Sequence, residues 1–415
     1  MIKFYIKAII ISMFFISRLG AQTANSGVLT IMPNTQFATV SDFNNSISGN
    51  VLNDGNFIVY SDFNNDGIVR YTEANNGTTF FTGTTAQNIE GASVSDFQNI
   101  VFDNLSSLVP FHLYTKISVG KQVDFKSGIV DAATYNGKVI FKEKATHIDV
   151  SNLSFVDGQV EKRGVALFEF PVGDDLFFRP SFHGVGTDAN NVYVTQYFLD
   201  NAGSTRPYTS KEDIILTIDE VEYWNTTQDL GSEKIVLSLS LDPATTPAAF
   251  FVTDPNKKLS IVRWDTALAK WVDEGGITSN PNISGSYSKL VTSQVRGYGI
   301  FTIAIVNKPD INPNLDIVVN NAISPNGDGI NDSFLIEGIN KYPDNRVEIY
   351  NRWGVKVYDA RSYNESDNMF TGYSDGRVTV NKGAKLPTGT YFYVLKYSNG
   401  RDGIESSGYL YINNQ

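Results

Sequence analysis

The chain contains no cysteine, which excludes disulfide bridges, thiol nucleophiles and a lipid-modified amino-terminal cysteine. Histidine is almost as scarce. The three present, His112, His147 and His183, are widely separated and in no metal-ligand spacing such as H-E-x-x-H. There is no G-x-S-x-G elbow and no phosphate-binding loop. No apolar run beyond the first residues approaches the ~20 needed to span a bilayer. No stretch of ten residues after the leader has helical amphipathic spacing; residues 265–272 would manage a turn or two. Basic residues are outnumbered, 33 Lys plus Arg against 44 Asp plus Glu, for a formal charge of −11. That balance excludes general nucleic-acid binding, which needs a basic footprint.

What is present begins with a secretory leader. Lys3 and Lys7 give a basic start, residues 8–15 (AIIISMFF) an apolar core, and Leu19-Gly20-Ala21 a small residue before a cut ahead of Gln22. The apolar part is too short to favour a spanning helix. We therefore expect residues 1–21 to be a cleaved signal peptide, with no transmembrane anchor left afterwards. Stability must then come from buried sheet, and 415 residues suffice for two or three cores.

The remainder reads as β almost throughout: short alternating runs rich in Tyr and Phe, separated by Asn, Asp, Gly and Ser. Residues 22–165 form an amino-terminal β region. Within 98–164 the Val/Ile/Phe clusters recur at loose spacing, consistent with a short β-solenoid portion or with an ordinary meander. Residues 166–306, with several strands of five to seven residues, suggest a sandwich. Pro309 and Pro313 then keep 307–316 extended as a linker. Residues 317–415 form a last unit. The expected class is all-β, one or two β domains before a carboxy-terminal sandwich.

That last unit contains three motifs in order. Residues 324–334 (SPNGDGINDSF) form a polar loop leading into a strand. Asn351-Arg352-Trp353-Gly354 is a turn between two alternating runs. Gly389-Thr390-Tyr391-Phe392-Tyr393 opens a strand with Tyr391 and Tyr393 on one face. Together they resemble the type B carboxy-terminal sorting domain of the Bacteroidota type IX secretion system, also called the gliding-motility-associated C-terminal domain. The resemblance covers about residues 317–415. It rests on Pro325, Asn326, Gly327, Asp328, Gly329, Asn331, Asp332, Asn351, Arg352, Trp353, Gly354, Gly389, Tyr391 and Tyr393. One departure is Phe370, where many members have tryptophan ahead of glycines like Gly372 and Gly376. The resemblance implies an immunoglobulin-like sandwich and export across both membranes to the surface or medium. It implies as partners the outer-membrane translocon and a dedicated outer-membrane protein.

Upstream, Asp62, Asn64, Asp66, Gly67 and Glu73 match a calcium-loop template in full. The flanking runs read as strands, however, and a two-residue hairpin at Asp66-Gly67 would leave Glu73 roughly 20 Å from the turn at about 3.3 Å per residue. The hairpin is the favoured reading. Asp328 and Asp332 are a second calcium candidate, against a loop closed by its own Asx hydrogen bonds. No cofactor is expected; calcium at these two places is the alternative. The carboxylate pairs Asp174/Asp175, Glu212/Asp213 and Asp219/Glu220/Glu222 read as solvated faces. Trp224, Trp264, Trp271, Phe177 and Phe178 read as core rather than a sugar-stacking platform. No catalytic residue is assigned. The expected protein is exported cargo whose upstream part is structural or adhesive, with a glycan or cell-surface ligand. A secreted polysaccharide hydrolase and a calcium-stabilised binding module are the alternatives.

Overall fold

The computed structural model describes residues 22–254, 256–279, 287–307, 317–327, 331–351, 354–375, 383–398 and 403–413. The expected leader, most of the linker, Asp328, Gly329, Arg352, Trp353 and Gly376 lie outside the described residues. Among the described residues there is no α-helix, only three short 3-10 turns, and no helix long and apolar enough to cross a membrane.

The chain opens as a succession of short strands that wrap one core. The first coil is Thr23–Asn25, Val28–Ile31 and Gln36–Thr39; the second is Phe43–Asn45, Asn50–Asn53 and Asn56–Val59. Each strand pairs in parallel with its counterpart one coil later: Thr23 with Phe43, Val28 with Asn50, Gln36 with Asn56. Alternation explains the wrap. Phe43, Phe57, Phe63 and Phe81 point inward and are fully buried, while Asn, Asp, Ser and Gly take the corners. Inward rings stack along the axis, Phe43 on Phe63 at 5.7 Å, Phe81 on Phe102 at 5.7 Å and Phe102 on Phe125 at 5.8 Å. Each such pair adds about 0.5–1.5 kcal/mol beyond its area.

This is a β-solenoid-like region, and it starts at Thr23 rather than at residue 98. The hairpin expected at Asp66-Gly67 is overturned. Phe63–Asn65 and Ile68–Arg70 lie in different sheets, and both pair in parallel with strands of adjacent coils. Asp-Gly serves a solenoid corner as readily as a hairpin, because both need a tight polar turn. The corner leaves no room for a side chain: a Cβ on Gly67 would sit 2.3 Å from the Gly49 carbonyl oxygen. Further on, Ser95–Asn104 and Lys116–Ser127 each run through a corner without breaking. Ser95 therefore pairs with Val69, and Asn99 with Thr78, from two different faces.

Gln159–Arg163 joins the solenoid to the next β unit. One side pairs in parallel with Lys138–Phe141, the other antiparallel with Val192–Phe198. The sheet continues through Tyr223–Leu230, Gly299–Asn307, Lys257–Asp265 and Lys270–Gly275. A second sheet has the order Phe168–Phe170, Ser181–His183, Val236–Leu241, Lys289–Gln294, Ile277–Ser279. Tyr197, Trp224 and Phe301 from one sheet and Leu237, Leu239 and Val291 from the other share a core, continuous with that of the solenoid.

Candidate functional site

Residues 317–413 build their own core from Phe334, Ile336, Val347, Ile349, Tyr363, Phe370, Tyr393 and Leu410. The main sheet has the order Ala322–Ile323, Gly403–Ile412, Gly389–Ser398, Asn345–Tyr350, Lys356–Arg361. Val318–Val319 pairs separately with Ile336–Glu337.

The motif residues hold the connections. In the loop before Phe334, Asp332 Oδ1 accepts from the backbone N–H groups of Asn326 (3.0 Å) and Gly327 (2.7 Å). The Ser324 N–H donates to the Asn331 carbonyl at 2.7 Å. Gly327 and Asn331 have φ of 83° and 55°, which suits glycine and asparagine. Pro325 packs over Gly372, whose φ is 83° and where a Cβ would come 2.7 Å from the Pro325 Cγ. In the turn, Gly354 (φ 71°) donates to the Asn351 carbonyl at 3.0 Å, and the Asn351 Oδ1 accepts from Val355 at 3.0 Å.

The aromatic positions fill the core beneath these turns. Tyr393 packs on Phe334 with ring centroids 5.2 Å apart, and burial pushes its hydroxyl up to about 12. The Tyr391 hydroxyl donates to the Pro387 carbonyl at 2.9 Å. Phe370 is fully buried, and its N–H donates to the Tyr363 hydroxyl at 2.9 Å.

A charged cluster on the opposite face was not anticipated. Arg346 grips both oxygens of Asp359 at 2.8 and 2.7 Å. Lys356 reaches Glu348 at 2.6 Å and Asp359 at 3.2 Å. Burial alone would raise the Asp359 pKa, but hydrogen bonds from Arg346 and Lys356 outweigh it and hold it at about 2. The alternation of Arg346-Val347-Glu348 carried the signal, because a strand sends successive side chains to opposite faces.

The solenoid spends the calcium-template residues on rung-to-rung bonds. Asp62 accepts from the N–H of Asn88 at 2.7 Å and from its side chain at 3.1 Å. Asp66 accepts from the Ala92 N–H at 3.0 Å and from Asn64 at 3.1 Å. Glu73 follows Ile68–Arg70 at the next corner, and it is its carbonyl that meets Gln98, at 3.1 Å. Among the described residues no three Asp, Glu or His side chains are grouped to hold a metal ion.

Two carboxylates read as solvated are buried. Asp219 and Glu222 are 1% and 2% exposed. They flank a turn between Ile215–Ile218 and Tyr223–Leu230, so strand alternation does not apply to them. Glu222 accepts from Tyr197 at 2.6 Å and from the Thr246 hydroxyl, with Arg179 at 4.0 Å. Trp224 and Trp271 are fully buried; the Trp224 indole donates to the Arg179 carbonyl at 2.9 Å. His183 is buried and His147 half-buried, and desolvation of each ring lowers the pKa values to about 3 and about 4. His112 is half-exposed, 3.2 Å from Asn88 Oδ1.

The outer face of the first solenoid sheet brings polar side chains into columns. Parallel register puts Asn88 opposite His112, His112 opposite Asp131, and Asp131 opposite Asp157. Tyr114 and Tyr135 pack together beside them at 4.2 Å. No composition or motif pointed to this row, which exists only because segments one coil apart become neighbours.

Residues 317–412 match the family model of the CHU_C type IX secretion signal domain. No curated protein and no solved structure matches the chain. The domain makes the chain a cargo handled by the type IX secretion system, and implies export to the cell surface or the extracellular space.

Proposed function

We propose that residues 317–415 act as a folded address and that the solenoid and sandwich ahead of them are a structural, adhesive display module for glycan. In this proposal the terminal unit is an immunoglobulin-like sandwich, a reading supported by the single core that Phe334, Tyr363 and Tyr393 share. The translocon and a dedicated outer-membrane protein recognise it through surfaces that need no ordering on contact. Support comes from the way Asp332 and Asn351 tie their own turns with backbone hydrogen bonds, which lowers the entropy cost of recognition.

The observation carrying the adhesive reading is the column of Asn88, His112, Asp131 and Asp157 across a parallel sheet. Adjacent rungs lie about 4.8 Å apart. Regularly spaced donors and acceptors of this kind suit a polymer with repeating hydroxyl groups, and the exposed Tyr114 and half-buried Tyr135 offer apolar edges for ring stacking. The test is retention of the secreted protein on immobilised polysaccharides and on whole cells. Retention that drops about tenfold in the Asn88→Ala/His112→Ala variant fits the reading. Equal retention by wild type and variant, or none for either, contradicts it.

A further inference from the structure

The two ends of the solenoid are finished differently. At one end Val192–Phe198 lies antiparallel on Gln159–Arg163 and the core runs on into Tyr193, Tyr197 and Trp224. At the other, the strands Thr23–Asn25, Val28–Ile31 and Gln36–Thr39 are each paired on one side only among the described residues. Leu29 and Phe37 point inward against the core, yet both remain half-buried. Their counterparts one coil on, Val51 and Phe57, are completely buried. Among the described residues the apolar interior is therefore cut across and left open at the first coil.

The rim around this opening is unusual in its charge. Residues 22–41 contain no Asp, Glu, Lys or Arg, in a chain of net charge −11. Val28 and Val40 on the outside are 75% and 82% exposed. Proteins ordinarily blunt free strand edges with charge or with proline in the strand, and solenoids close their ends with polar caps. Pro33 falls in the corner between two strands, so neither device operates here. The internal amide ladder also stops at this point. Asn25 donates to Asn45 at 2.8 Å, and among the described residues its own Oδ1 meets only a long contact from Gly27 N–H at 3.3 Å.

We propose that this open rim is a self-association surface, through which two copies of the chain stack end to end by their first coils. Strand edges of the two copies run antiparallel across a twofold axis, and Leu29 and Phe37 of each copy cover the opening of the other. A second copy is the occupant that charge favours. Acidic bodies repel one another over most of their surface, and the uncharged rim lets them meet while the charged parts stay far apart. A twofold contact uses the same patch on both partners and closes, so assembly stops at two.

The test uses the full secreted protein, with mass measured by sedimentation equilibrium over a concentration series. The expected result is a reversible dimer. Val28→Lys with Ala38→Lys, both outward and exposed, should raise its dissociation constant about tenfold or more by facing like charges across the contact. Val221→Lys with Leu268→Lys, exposed on the sandwich, should leave it unchanged. A monomer at every concentration, a dimer indifferent to the rim lysines, or larger assemblies would overturn the proposal. Should the rim variant fail to fold by circular dichroism, amide exchange on the wild type decides. Protection of residues 28–39 that rises with concentration supports the contact, and protection independent of concentration refutes it.

Discussion

The Nδ2 of Asn45 donates to the Oδ1 of Asn65, 2.7 Å away and 20 residues further along the chain. Asn45 is completely buried, receives Asn25 on its other side at 2.8 Å and also donates to the Ile68 carbonyl at 3.1 Å. Asn65 continues the ladder to the Ser95 hydroxyl at 3.0 Å. Inside a solenoid such amides satisfy each other from coil to coil and fix the stacking register.

Asn45→Ala therefore strands buried polar atoms on both neighbouring coils. We expect a loss of about 2 kcal/mol, read as a shift in the urea midpoint with an unchanged slope. Asn44→Ala, one residue earlier and facing outward, should stay within about 0.5 kcal/mol.

Corner geometry makes a second contrast. A Cβ on Gly67 would lie 2.3 Å from the Gly49 carbonyl oxygen and 2.4 Å from that of Ser46, whereas nothing lies within 4 Å of one on Gly27. Both clashing atoms belong to the backbone, so the coil must shift. Gly67→Ala should cost about 2–4 kcal/mol and Gly27→Ala almost nothing, as thermal melts would show.

These two sites also explain what could be read from the chain beforehand. The strands themselves were legible, since Phe43-Asn44-Asn45 and Phe63-Asn64-Asn65 alternate plainly. So was the terminal unit, whose turns depend on local Gly, Asn and Asp. The coil length is written in the chain too. Ser-Asp-Phe-Asn-Asn occurs identically at 41–45 and 61–65, one coil apart. Later coils conceal the period because their corners lengthen, Asp62 being bonded to Asn88, 26 residues on. Burial of Glu222 could not be read, because it depends on Tyr197, Arg179 and Thr246 arriving from distant segments of the chain.

His147 supplies a pH signature. Burial depresses its pKa to about 4 from the ordinary 6.5, so between those values the unfolded chain binds a proton that the folded one refuses. Its contribution is complete above about 6.5 and is lost as pH falls towards 4. Glu169, Asp157 and Asp219, each raised to about 7 chiefly by burial, act with the opposite sign, so only a difference isolates the imidazole. His147→Gln keeps a donor for the Glu169 carbonyl, which lies 2.7 Å from the ring, and removes the titration. Wild type should lose about 1–2 kcal/mol relative to the variant between pH 7 and pH 5. Parallel curves would contradict the assignment.

Calcium should leave the melting temperature unchanged. Asp62, Asp66 and Asp332 already direct carboxylate oxygens at N–H groups of neighbouring segments. An ion that bound only the native state would have to raise stability. Melts in millimolar calcium and in chelator should superimpose, and a reproducible rise with calcium would restore a metal site.

The central claim is that residues 317–415 export whatever precedes them. It is tested most directly by the protease-accessible, extracellular fraction of the chain in cells with and without that segment. The account predicts that deletion leaves residues 22–306 folded but confined to the periplasm, and that grafting 317–415 onto a periplasmic reporter carries the reporter out. Undiminished surface display of the deleted chain would contradict it.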